Sequence, residues 1–387
     1  MVKLTDVCDI QYGYAFDSKC FTEDNSYMPL VRIRDIKRGF SETFYAGEYP
    51  EKYIVHVGDL LVGMDGEFNI AHWKSQKALL NQRVCKLVAR EGTNEEYLRF
   101  AMTKSLKDIE RKTAFVTVKH LSAKELNKLE LNLPTIEEQN RIAKILSKLE
   151  RVIDWREKEL QYLENLIESR FIELFGDPDV NSKGWKECAL SEKVNVVGGY
   201  AFKSDQFDEE RGIPVLRIGN INAGFFRPVN LVYWHEDESL ERYIVYPGEL
   251  VMSLTGTVGK DDYGNICILG NDYGKYYLNQ RNAKLEIMEG IDKYYLSQLL
   301  KFTQIKKRLT GISRGVRQAN ISNKDILNLV VPVPPMEIQE RFAAFVTQTN
   351  KSKFKEIQFL KTTHILLKQC FFEKQSQQNR QKLQGGT

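Results

Sequence analysis

The sequence predicts an α+β protein: two mixed α/β globular domains joined by two long helices that pair antiparallel, all built by internal duplication. Three observations predict this. The same motifs occur twice in the same order. Each copy closes on a helix-length stretch with apolar residues every three or four positions. The rest of each copy is short β-rich runs broken by Gly, Asn and Asp.

The duplication runs from end to end. Gly13-Tyr14-Ala15-Phe16-Asp17-Ser18 returns as Gly199-Tyr200-Ala201-Phe202-Lys203-Ser204. Pro29-Leu30-Val31-Arg32-Ile33 matches Pro214-Val215-Leu216-Arg217-Ile218, and Leu80-Asn81-Gln82-Arg83 matches Leu278-Asn279-Gln280-Arg281. Pro134 with Glu137, Gln139 and Arg141 matches Pro334 with Glu337, Gln339 and Arg341. The offset between the copies grows along the chain, so the second carries extra loop residues. Solenoid repeats are shorter, roughly 20–50 residues. A duplicated half-molecule instead suggests two similar sites held at a fixed separation. The motifs place the first domain at 1–133, a long helix at 134–175, the second domain at 176–333 and a second long helix at 334–375. A polar, Gln-rich tail at 376–387 is expected to be disordered.

Within the domains, Ile54-Val55, Leu60-Leu61-Val62, Val84 to Val88 and Ile213 to Ile218 read as strands. Gly58-Asp59 and Gly248-Glu249 read as turns just before a strand. Tyr97 to Ile109 and Tyr294 to Leu309 read as amphipathic helices. The pattern leaves the strand order open.

Each long helix starts after a proline and puts glutamates in its first turn, where the helix dipole favours them. In the first, Ile142, Leu146, Leu149, Ile153, Leu160, Leu163 and Ile167 form a heptad seam, with Arg156 at one core-like position. It ends at Gly176-Asp177-Pro178, a Gly stop followed by a breaker. The second carries Phe342, Val346, Ile357, Leu360, Leu367 and Phe371 on a more ragged stripe, with Thr349, Lys353 and His364 near the seam. About 38 residues at 1.5 Å each make a helix roughly 57 Å long. Alone, such a helix would leave its stripe wet, and two of matched length are expected to pair.

Composition bounds the function. The 387 residues suit two or three domains, and hydrophobic residues at 42% are ample for packed cores. Net charge is only +4. It is unevenly spread: 293–324 holds no Asp or Glu but eight basic residues, Lys293, Lys301, Lys306, Lys307, Arg308, Arg314, Arg317 and Lys324. Such a run attracts phosphate if it forms one patch; otherwise it is a solvated helix face and loop. The six cysteines form no C-x-x-C pair and have no His at ligand spacing, so a zinc site is not expected and free thiols in a reducing cytoplasm are. The start of the chain lacks an apolar signal core, and no apolar run reaches the roughly 20 residues of a membrane span.

Catalytic motifs are missing. There is no phosphate loop with Lys-Ser/Thr, no G-x-S-x-G elbow and no dinucleotide fingerprint. Gly256-Thr257-Val258-Gly259-Lys260 has part of a phosphate-loop spacing but no counterpart in the first copy, and reads as a loop. Asp177, Asp179 and Glu187 could be nuclease carboxylates; their place just after the helix favours a cap and linker. Binding chemistry is better supported. Arg can bridge guanine O6 and N7, and Asn or Gln can bridge adenine N6 and N7. The Asn-Gln-Arg triplets are therefore either base contacts or structural amides. Segments that differ between the copies are stronger candidates: Thr113 to His120 against Ser313 to Asn320, and Arg32-Ile33-Arg34-Asp35 against Arg217-Ile218-Gly219-Asn220.

Leu174-Phe175-Gly176-Asp177-Pro178 with Asn181-Ser182-Lys183-Gly184-Trp185 resembles the central hinge of specificity subunits of type I restriction-modification enzymes. So do the two Pro-x-x-Glu-x-Gln-x-Arg openings and the Gly-Tyr-Ala-Phe-x-Ser pair. The resemblance covers essentially the whole chain. It implies two target-recognition domains, each reading one half of a bipartite, non-palindromic double-stranded DNA site. It also implies an antiparallel coiled coil that sets the spacer and docks two modification subunits. Those subunits would carry S-adenosylmethionine and methylate adenine; restriction subunits would use ATP and Mg. This chain would bind no cofactor or metal and catalyse nothing. Chosen by residue type and place in the copies, the candidate DNA contacts are Arg32, Arg34, Lys37, Arg38, Arg83, Thr117, Lys119 and His120 in the first copy. In the second they are Arg217, Asn220, Asn222, Arg281, Lys307, Arg308, Arg314, Arg317, Gln318 and Asn320. The competing expectations are a self-contained modification enzyme, against which the absent Asn/Asp-Pro-Pro-Tyr/Phe motif argues, and a coiled-coil protein scaffold that reads no DNA.

Overall fold

The computed structural model describes residues 1–66, 68–112, 120–257, 262–311 and 318–384, without the side chains of 111, 112, 318 and 367–384. It divides into two compact units, Met1–Arg156 with Phe359–Thr387, and Glu157–Gln358.

The first unit carries a four-stranded antiparallel sheet in the order Cys8–Tyr12, Val84–Ala89, Leu60–Gly63, Ile70–His72. The helix Glu95–Lys112 covers it through Leu98, Met102 and Leu106, whose four-residue spacing puts them on one buried face. A five-stranded sheet follows the order Phe21–Thr22, Phe44–Tyr45, Met28–Val31, Ala78–Leu80, Ile54–Val55, with one parallel pair at Leu30 and Leu79. The second unit repeats the plan. Val194–Gly198, Asn282–Ile287, Leu250–Ser253 and Ile266–Ile268 form the first sheet. Val232–Trp234, Ile213–Leu216, Tyr276–Leu278 and Ile244–Val245 form the second, with a parallel pair at Val215 and Tyr277. The expected turns are present: Gly58 and Gly248 sit at φ +94° and +85°, which a side chain would oppose.

Two expected elements are corrected. The strand at Ile213 stops at Leu216, because Arg217 caps a short helix, Ile218–Ile221. The single helix expected from Tyr294 to Leu309 is two, Lys293–Lys301 and Thr303–Thr310. Phe302 breaks it with an extended backbone (ψ 128°) and packs its ring 5.0 Å from Phe171.

The long helices span Ile136–Phe175 and Met336–Gln384. The second therefore runs through most of the tail expected to be disordered. Gln, Lys and Arg are good helix formers, and no Gly or Pro intervenes before Gly385. Inside the second unit the two helices pack antiparallel: Phe171 lies 5.5 Å from Phe342, Arg170 stacks on Phe345, and Lys353 pairs with Glu164. Ile167, Phe171, Phe175, Phe342 and Val346 belong to that unit's core. In the first unit, Leu146, Ile153 and Leu360 are buried, and Arg156 stacks over Phe359 at 4.8 Å. The remaining seam positions Ile142, Leu149, Leu160, Leu163 and Ile357 are half-buried, while the side chains of Leu367 and Phe371 lie outside the described residues. The second stripe is regular rather than ragged. Phe342, Val346, Thr349, Lys353, Glu356, Leu360 and Thr363 step by four and three and are all shielded, but four of them are polar. His364 faces out of that stripe.

The hinge motif is a helix stop. Gly176 turns left-handed at φ +78°, the Trp185 indole donates to the Phe175 carbonyl at 2.8 Å, and Lys183 Nζ donates to the carbonyls of Glu173 and Leu174. Asp177 accepts from the Asp179 N–H, and Asp179 pairs with Arg308, so these carboxylates serve the cap. Among the described residues no His, Cys, Asp or Glu cluster could hold a metal, and no helix is long and apolar enough to cross a membrane.

Candidate functional site

In both units the repeated motifs dock on each other. Gly13 N–H donates to the Val84 carbonyl, Tyr14 N–H to Leu80, and Gln82 N–H to Tyr14, at 2.7–2.9 Å. Tyr200 and Gln280 repeat the last two bonds at 2.8 Å. A Cβ on Gly13 would lie 2.0 Å from the Asn81 carbonyl oxygen, and one on Gly199 would lie 2.2 Å from that of Asn279. Only glycine permits this approach. Asn81 is buried and its side chain accepts the Gln82 N–H at 2.9 Å, so the first residue of that triplet is structural. The docked turn brings Tyr14 and Tyr200 to the surface, ring to ring with Tyr53 and Tyr243 at 5.0 and 5.3 Å. These exposed tyrosines were not singled out from the sequence; the repeat of the motif was the available signal.

The same turn positions Arg83 and Arg281. The Arg83 carbonyl accepts the Met64 N–H, and the Met64 carbonyl accepts the Leu121 N–H. The Arg281 carbonyl accepts the Leu254 N–H, and the Leu254 carbonyl accepts the Ile321 N–H, all at 2.7–2.8 Å. Asp65 consequently bridges to His120 across an antiparallel ladder, as Thr255 does to Asn320. In the first unit Asp65 holds Arg83 (Oδ2 to Nε, 3.4 Å) and His120, and Arg83 Nη1 lies 3.1 Å from the imidazole. In the second, Arg281 and Asn320 are exposed, and Arg281 makes no ion pair among the described residues. Asp65 and Thr255 were missed from the sequence, because only the strand ladder places them beside the arginines.

A second pair of equivalent arginines lines a cleft in each unit. Arg32 and Arg34 border one of about 760 Å³, with Thr43 accepting from Arg34 at 3.3 Å. Arg217 borders one of about 530 Å³ with Gln280 and Arg281. The helix start beneath each is held by a buried side chain: Asp35 accepts the Arg32 N–H, and Asn220 accepts the Arg217 N–H.

That corrects Asn220 as a contact. It is 1% exposed, and its amide donates to the carbonyls of Arg227 and Val229. Asn222 is half-buried, with its oxygen 3.4 Å from the Asn265 amide. Lys37, Arg38 and Lys307 are exposed, and Arg38 pairs with Glu42. Among the described residues, the basic run does not form one patch. Lys306 is buried against Asn265 Oδ1 at 2.7 Å, Lys293 donates to the Gly248 carbonyl, and Arg308 is held by Asp179 at 2.9 Å. Thr117, Lys119, Arg314 and Arg317 lie outside the described residues, as does the side chain of Gln318.

Comparison with known proteins gives the geometry a context. A family described as type I restriction modification DNA specificity domain matches residues 1–165 and again 182–362. The type I restriction enzyme EcoBI specificity subunit of Escherichia coli is 29% identical over 381 residues, covering 90% of this chain and 78% of that one. The MjaVIII specificity subunit of Methanocaldococcus jannaschii is 25% identical, covering 83% and 79%. In fold, the chain is similar to a type I restriction-modification S subunit from M. genitalium, with TM-score 0.55, 16% identity, and 96% and 94% of the two chains covered.

Proposed function

The chain belongs to the type I restriction-modification DNA specificity family, and from that premise we propose that it is the sequence-reading subunit of such a complex. Each unit reads one half of a bipartite double-stranded site. The match of one family domain to each copy carries this reading. The equivalent turns support it: they offer arginines at the same places, Arg32 and Arg217, Arg83 and Arg281, amid neighbours that differ. Two readers that differ in side chains but not in frame suit a target with unlike halves.

In this reading the exposed candidates do the contacting. Lys37, Arg38 and Lys307 neutralise phosphates, while Arg34, Arg83, His120, Arg281 and Asn320 reach toward base edges. The loops holding Thr117, Lys119, Arg314, Arg317 and Gln318 remain candidates by their sequence. The long helices pair along their length, set the spacer and dock two modification subunits. Tyr162 and Leu166, one helical turn apart and 69% and 49% exposed, offer those subunits an apolar face. Methyl transfer from S-adenosylmethionine to adenine, and any ATP- and Mg-dependent restriction, then belong to the partners, in the cytoplasm.

The test is methylome sequencing of cells expressing this chain with its cognate modification subunit, against cells lacking it. A new adenine-methylated motif with two unlike halves is expected. A formed complex that adds no motif would make the chain a scaffold.

A further inference from the structure

We propose that Asp65, Arg83 and His120 in the first unit, and Thr255, Arg281 and Asn320 in the second, form equivalent base-reading slots in which the two residues flanking the arginine choose the base. This rests on the DNA-reading function proposed above.

The two slots share one backbone frame. In each, a strand end is held between the arginine of the Asn-Gln-Arg turn and the residue that follows the ladder, through the same two hydrogen bonds. In each, the residue next along pairs across that ladder, Asp65 with His120 and Thr255 with Asn320. The arginine is common, so it cannot distinguish two targets. What differs is the hydrogen-bonding character beside it: a carboxylate and an imidazole in one slot, a hydroxyl and an amide in the other.

A bare carboxylate facing DNA is repelled by phosphates. Asp65 is compensated by Arg83 at 3.4 Å and by His120, which leaves a cluster suited to a base edge rather than to the backbone. An ionised carboxylate has about four acceptor positions, and these partners occupy two. The remainder suit an exocyclic amine, cytosine N4 or adenine N6. Asp65 is partly open to solvent, with 28% of its side chain exposed, so such an amine can reach it. In the second slot the exposed Asn320 can present both an acceptor and a donor, the pattern that matches adenine N6 and N7. Beside it, Thr255 Oγ1 is buried without a hydrogen-bond partner among the described residues, an arrangement that a bound polar group would relieve.

The experiment uses the chain in complex with its modification subunit and a panel of duplexes. Each duplex differs from the methylated motif by one base pair. Asp65→Asn keeps the shape and removes the charge, Asp65→Thr with His120→Asn gives the first slot the second slot's residues, and Thr255→Asp with Asn320→His does the reverse. Each is expected to change base preference at least tenfold at one position, or two adjacent ones, within one half-site, with the other half unaltered. The wild-type base at the first slot's position tells cytosine from adenine. Equal loss on every duplex, total loss included, or no change at all overturns the slots while the wild-type motif stands. A wild-type complex that reads no motif brings down the underlying function as well.

Discussion

Gln139 Oε1 accepts the backbone N–H of Asn94 at 2.8 Å, and the same amide donates to the carbonyls of Gly92 and Pro134. Gln339 does the same to Asp292, Gly290 and Pro334 in the second unit. Each glutamine is buried and ties the turn before a domain helix to the first turn of a long helix. Replacing Gln139 by Leu strands a buried N–H and two carbonyls. The expected loss is about 1–3 kcal/mol, read as a lowered denaturant midpoint. Gln139→Glu keeps the acceptor but turns a carboxylate oxygen onto the two buried carbonyls, and is expected to lose at least as much.

Gly13→Ala drives a methyl group into the Asn81 carbonyl at 2.0 Å, so the turn carrying Arg83 must move. A loss of about 1–3 kcal/mol is expected, together with weakened reading of one half-site. Gly219→Ala is the control. Nothing lies within 4 Å of its added Cβ, and stability is expected to hold.

His72 joins the first sheet to the first long helix through a chain of contacts. Its Nε2 lies 2.7 Å from Glu96, Glu96 pairs with Arg99 at 2.9 Å, and Arg99 pairs with Glu150 at 2.6 Å. The bond to Glu96 raises His72 above its usual value, and the bond to His72 holds Glu96 down at about 2. His72 therefore stabilises fully below pH 6.5 and loses its contribution as pH climbs through its raised folded value, while Glu96 contributes above 4.5 and is lost as pH falls toward 2. Stability from this anchor is expected to peak between those limits and to decline as pH rises above 6.5 through the raised His72 value. A pH series of thermal melts should show the alkaline decline flattened in His72→Gln; an unaltered slope would remove His72 as its source.

If the paired helices set the spacer, four residues inserted after Ile153 should lengthen the spacer accepted between half-sites and leave both half-sites as they were. Sequencing the methylated motif reads this directly. An unchanged spacer would sink the ruler role.

The sequence by itself determined what depends on local order. The duplication, the β-rich runs, the heptad stripe from Ile142 to Ile167 and the Gly stop at Gly176 are periodicities and punctuation, each complete within a few turns of chain. It also marked Gly13 and Gln139 as repeated, though not why. Only the tertiary structure decided which polar side chains are spent and which are available. Asn220 is consumed by the carbonyls of Arg227 and Val229, Lys306 by Asn265, and Arg308 by Asp179, 129 positions away. Asp65 becomes a candidate solely because a ladder sets it beside His120. Hydrophobic burial follows a period that the order of residues displays. A hydrogen bond depends on two groups meeting within about 3 Å, and distant segments meet only once the chain has folded.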